Sequence, residues 1–124
     1  MKILKILMVA FLLAAIPVIG SASVFAKTSG GIKAVLNVDP AKSMVDLYLS
    51  DSKTRKEITG AKVKAAITLP KGEKVEKELI GMKMGDSFSF MNSLDMSRKG
   101  SYIFDINVEM GKTAHKFNFH YDVD

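Results

Sequence analysis

From Ile32 to the end of the chain, apolar and polar side chains alternate with a period of two, the mark of strands that bury one face. Ala34, Leu36 and Val38 alternate with Lys33, Val35 and Asn37, and Asp39-Pro40 stops that strand. Val45, Leu47 and Leu49 alternate with Met44, Asp46 and Tyr48, after which residues 50–57 (SDSKTRKE) read as an exposed loop. Val63, Ala65, Ile67 and Leu69 form the next apolar face, Pro70-Lys71-Gly72 turns the chain, and Val75, Lys77 and Leu79 lead it back. A three-residue loop over 71–73 sets Leu69 opposite Val75 and Ala65 opposite Leu79.

The last two strands carry the strongest signal. Tyr102, Phe104, Ile106, Val108 and Met110 share one face, and so do His115, Phe117, Phe119, Tyr121 and Val123 beyond Gly111-Lys112. A two-residue turn with glycine first suits a type II′ hairpin. It pairs Tyr102 with Tyr121, Phe104 with Phe119, Ile106 with Phe117 and Val108 with His115. On the other face Asp105 meets Asn118 and Asn107 meets Lys116. Residues 81–97 alternate less cleanly. Phe88 and Phe90 make an edge strand with both rings in the core the favoured reading there, and a protein-contacting patch the other. Seven or so short strands with turns between them predict an all-β fold, an antiparallel immunoglobulin-like β-sandwich over residues 32–124. Arg98-Lys99-Gly100-Ser101-Tyr102 fits the turn and corner tyrosine of such domains.

Ahead of these strands the pattern changes. Lys2 and Lys5 precede an apolar run from Ile6 to Ile19, followed by small residues ending in Val24-Phe25-Ala26. This is the layout of a secretory signal peptide, and the run is shorter than the roughly twenty residues a spanning helix needs. Residues 1–26 are expected to be removed after Ala26, with a cut after Ala22 and an uncleaved anchor as the alternatives. Residues 27–31 (KTSGG) read as a flexible leader. The expected address is the periplasm, or another secreted location, with no stable membrane insertion after cleavage.

Composition narrows the function. The 124 residues hold 18 Lys and Arg against 13 Asp and Glu, a formal charge of +5, yet only Arg55 and Arg98 are arginine. No arginine-rich stripe marks a nucleic-acid reader, and lysines spread along strands make a solvated surface. There is no cysteine, which excludes disulfides, thiolate metal sites and a lipid-modified cysteine. No nucleophile elbow, zincin motif or phosphate loop occurs, so an enzyme is not expected.

Methionine is the unusual component. Met82, Met84, Met91 and Met96 fall close together, and thioethers are soft donors that select Cu(I). In an extended segment Met82 and Met84 project to the same side, and His115 lies near a turn where an imidazole can reach the rim. These five residues are the candidate Cu(I) ligands. Against them stands the use of methionine as a filler of irregular core gaps.

Four segments carry a resemblance: Ile58-Thr59-Gly60-Ala61-Lys62-Val63, Leu69-Pro70-Lys71-Gly72-Glu73-Lys74, Lys99-Gly100-Ser101-Tyr102-Ile103-Phe104 and Phe117-Asn118-Phe119-His120-Tyr121-Asp122-Val123. Through them residues 32–123 resemble the small extracytoplasmic domains of the YtkA-like and FixH-like group. The resemblance implies an immunoglobulin-like sandwich in the bacterial envelope with a role in copper handling or oxidase assembly. The expected function is therefore that of a secreted, non-enzymatic binding protein with an envelope protein as partner. The alternative is a ligand-free protein–protein interaction module of the periplasm.

Overall fold

The computed structural model describes residues 22–124; the expected signal sequence, apart from its last five residues, lies outside them. Eight strands follow in chain order: β1 Ser23–Ser29, β2 Ile32–Asp39, β3 Met44–Asp51, β4 Lys62–Thr68, β5 Lys74–Met84, β6 Ser87–Ser93, β7 Gly100–Met110 and β8 Thr113–Val123. They form one antiparallel sheet in the order β1-β2-β3-β6-β5-β4-β7-β8. The sheet is rolled nearly into a barrel.

The architecture is all-β, but it has eight strands rather than seven and is not a sandwich of two separate sheets. Two features account for the difference. The stretch read as the end of the signal peptide and the flexible leader is β1, paired with β2 from Ser23↔Val38 to Ser29↔Ile32 through a turn at Gly30-Gly31. Both glycines have positive φ, 58° and 81°, as a tight two-residue hairpin turn requires. The second feature is β5, eleven residues long, which pairs with β4 through Lys74–Leu79 and with β6 through Ile80–Met84. One strand therefore runs through what would otherwise be two sheets.

The two free edges, β1 and β8, are brought side by side and joined by side chains. The ring of Phe25 meets Tyr121 edge-on at 5.9 Å, and the Lys27 ammonium lies 5.5 Å from the centre of the Phe119 ring. That ammonium also donates to the Asn118 carbonyl.

Alternate side chains of the strands fill the interior. Leu36, Val38, Val45, Leu47, Val63, Ile67, Phe90, Tyr102, Phe104, Ile106 and Phe119 are all buried there. The β7–β8 hairpin has the expected register, with Tyr102↔Tyr121, Phe104↔Phe119, Ile106↔Phe117 and Val108↔His115 in place. The β4–β5 register differs by two residues: Ile67 faces Val75 and Val63 faces Leu79. Leu69 N–H donates to the Glu73 carbonyl at 2.8 Å, so the three-residue loop is Pro70-Lys71-Gly72, with Gly72 at φ 95°. Tyr102 fills the corner role: its buried hydroxyl donates to the Arg98 carbonyl at 2.7 Å. β6 is a strand with Phe90 in the core and Phe88 packed against it, and it lies between β3 and β5 rather than at an edge.

Candidate metal centre

The outer face of the β2-β3-β6-β5 wall gathers most of the unexplained chemistry. Strand pairing sets Asn37 opposite Asp46, Asp46 opposite Met91, and Met91 opposite Ile80, one row across four strands. Their neighbours in the pleat share the outward side. Met44 stands two residues before Asp46 on β3, and Met82 two residues after Ile80 on β5. Met44 and Met82 are thus the diagonal neighbours of Met91 on either side. Diagonal pairs in an antiparallel sheet lie roughly 7–8 Å apart at Cα, within reach of long side chains.

Three thioethers and the carboxylates of Asp46 and Glu78 thus share a face built from three adjacent strands. Asp46 carries an unusual burden there. Its Oδ1 is buried without a hydrogen-bond partner, and so is the Oδ1 of Asn37 beside it. Burial pushes the Asp46 carboxyl above its ordinary value; the nearby charge of Asp39 adds to the rise and Lys42 opposes it. Two buried oxygens without donors favour the arrival of a proton or a cation.

The five residues expected to bind a metal fall in three places. Met82, Met84 and Met91 share this outer face, with Met82 48% and Met84 62% exposed; Met84 sits beyond Met82, opposite Ser87 near the β5–β6 turn. Met96 is 1% exposed and belongs to the core, so its sulfur packs among apolar side chains. His115 is half-buried on the inward side of β8, opposite Val108, with its imidazole against the β1–β2 turn; a Cβ on Gly30 would lie 2.6 Å from its Nδ1. It does not meet the methionines of the outer face. His120 is exposed and lies 3.1 Å from Asp122.

Met44 and Asp46 complete the patch, and sequence reasoning missed both. Their outward phase is legible in the β3 alternation, but the β3–β6 pairing that brings them to Met91 joins segments more than forty residues apart. Among the described residues, no three His, Cys, Asp or Glu side chains come together as a metal-holding group. The donors that this face places near Met91 are soft sulfur, with the Asp46 carboxylate opposite it, Asp39 opposite Met44 and Glu78 two residues before Ile80.

The large apolar side chains that stand exposed among the described residues are Val24 on β1, Tyr48 on β3, and Ile80, Met82 and Met84 on β5. No helix among them is long and apolar enough to cross a membrane.

No family model matches the chain, and no curated protein does, so the YtkA-like and FixH-like resemblance stands without a family match. Solved structures do resemble it. A copper-bound variant of FetP from uropathogenic Escherichia coli has a TM-score of 0.65 at 12% identity, covering 83% of this chain and 97% of that one. The copper-reconstituted P19 protein of Campylobacter jejuni has a TM-score of 0.63 at 10% identity, covering 83% and 96%. A DUF4426 family protein of Pseudomonas aeruginosa has a TM-score of 0.65 at 15% identity, covering 81% and 94%. At these identities the likeness establishes a shared fold: this chain has the fold of FetP, P19 and the DUF4426 protein.

Proposed function

We propose that this chain is a non-enzymatic, extracytoplasmic copper-handling protein that takes Cu(I) on the outer face of β3, β6 and β5. The observation that carries the reading is the placement on one outer face of Met91, with Met44 and Met82 as its diagonal neighbours on either side, directly opposite Asp46, whose Oδ1 is buried and unpartnered. Thioethers are soft, neutral donors suited to Cu(I), and no imidazole stands among them to favour Cu(II) or zinc. Met91 with one of its diagonal neighbours, Met44 or Met82, would hold the ion, and the Asp46 carboxylate would offset its charge. Neutral sulfur donors on an exposed face also suit release to a partner. FetP and P19, which share the fold, have been solved with copper, and FetP was also expressed in the periplasm. That likeness supports both the metal and the address.

Titration of the purified chain with Cu(I) against a competing chelator tests the proposal. The expected affinity is tighter than about micromolar, roughly 8 kcal/mol. Met82→Leu combined with Met91→Leu should weaken it at least tenfold, about 1.4 kcal/mol, while changing stability by less than about 1.5 kcal/mol. Absence of binding at micromolar Cu(I), or an unaffected double variant, would reject this site. The exposed apolar side chains of Val24, Tyr48, Ile80, Met82 and Met84 favour the second reading, a ligand-free interaction module. That module would keep its partner in the double variant regardless of copper.

A further inference from the structure

We propose that the chain is processed between Ala22 and Ser23, four residues earlier than the first cut the sequence suggests. Two bonds that follow an alanine suit the small-residue pattern of a cleavage site: the bond after Ala22, with Gly20 three positions before the cut, and the bond after Ala26, with Val24 there. Only the fold separates them. β1 begins at Ser23, and Ala22 lies just outside it. The Ala22–Ser23 bond is thus free of the sheet, while the Ala26–Lys27 bond lies in the middle of a strand, with Ala26 opposite Val35 and Lys27 opposite Ala34.

Cutting after Ala26 would remove Ser23, Val24, Phe25 and Ala26 from the folded product. Val38, Asn37, Leu36 and Val35 would lose their partners on that side. Backbone groups along the new edge would stand open, a known template for unwanted strand pairing. Phe25, which packs on the core and edge-on against Tyr121, would go with them, and so would its part in joining β1 to β8. A cut after Ala22 removes none of these contacts. The reaction is ordinary hydrolysis by a signal peptidase: the Ala22 C–N bond breaks, the hydroxyl of water goes to the Ala22 carbonyl carbon, and its proton goes to the Ser23 amine.

The test is N-terminal sequencing and intact mass of the product after expression of the full 124-residue chain in a bacterial host. Recovery of a species beginning Ser-Val-Phe-Ala-Lys supports the proposal. A product beginning at Lys27, or a chain that retains its first residues, overturns it. Two variants sharpen the result. Ala22→Gln should accumulate precursor, whereas Ala26→Gln, at an exposed position of β1, should be processed as the natural chain is. The reverse pattern would assign the cut to Ala26. None of these readouts depends on copper.

Discussion

Asp46→Asn separates the fold's interest from the site's. In the folded chain Asp46 and Asn37 are direct cross-strand partners, and each has an Oδ1 that is buried and unpaired. Side chains in such pairs have Cβ atoms about 4.5–5.5 Å apart, so an amide at position 46 can donate to the Asn37 oxygen. A new neutral hydrogen bond contributes about 0.5–1.5 kcal/mol net, and relieving a buried unsatisfied acceptor works in the same direction. The variant should therefore be more stable than the natural protein at pH 7 by about 1 kcal/mol, raising Tm by about 4–8 °C in a domain of this size. The gain should depend on pH. Because burial raises the Asp46 pKa above the ordinary 3.8, the folded state holds this proton more readily than the unfolded chain. The stabilising contribution of the protonated residue is complete below 3.8 and is lost as pH rises through the higher folded-state value. At pH 3 the neutral carboxyl can itself donate to Asn37, and the two proteins should nearly coincide; the gap should open between pH 3 and pH 7. Urea denaturation across that range reads the gap directly. Chelator competition at pH 7 should at the same time show weaker Cu(I) binding by the variant, since the carboxylate is gone. A stability difference that is absent, or the same at both pH values, would refute the account of Asp46 as a strained acceptor. A more stable variant with unchanged copper affinity would remove Asp46 from the metal site.

Two further substitutions probe the scaffold. A Cβ on Gly81 would lie 2.6 Å from Cζ and 2.9 Å from Cε1 of Phe88, so Gly81→Ala should cost about 1–3 kcal/mol by overpacking, and pairing it with Phe88→Leu should recover part of the loss in urea denaturation. Tyr102→Phe removes the hydroxyl that donates to the Arg98 carbonyl; it should cost about 1 kcal/mol and lower the denaturant midpoint without changing the slope.

What could be read from the chain, and what could not, divides by the distance over which a signal acts. The β7–β8 hairpin was readable residue by residue because one register satisfied aromatic pairs on one face and polar pairs on the other across a glycine turn. The β4–β5 register differs by two from the expected one because Val63, Ala65, Ile67 and Leu69 offer equivalent apolar partners, and the turn is closed by the Leu69–Glu73 and Gly72–Leu69 hydrogen bonds. β1 was concealed by its position: Val24-Phe25-Ala26 suits the small-residue pattern of a cleavage site and also the alternation of a strand. Of the metal patch, Met82, Met84 and Met91 could be found from spacing alone. Met44 and Asp46 could not, because their place beside Met91 depends on a non-local pairing with no turn to announce it. Met96 and His115 share the chemistry of the candidates but face inward, and alternation was too irregular around Met96 to show which way it pointed.

β5 serves both halves of the wall at once. Its outward side carries Glu76 and Glu78 where it borders β4, then Ile80, Met82 and Met84 where it borders β6. The same backbone is thus a shared spar between a charged panel and a sulfur-rich one. The consequence is one of continuity: from the thioether side to the aromatic hairpin the backbone ladder runs unbroken, through residues 80–84 to residues 74–79 of the same strand, then to β4 and β7.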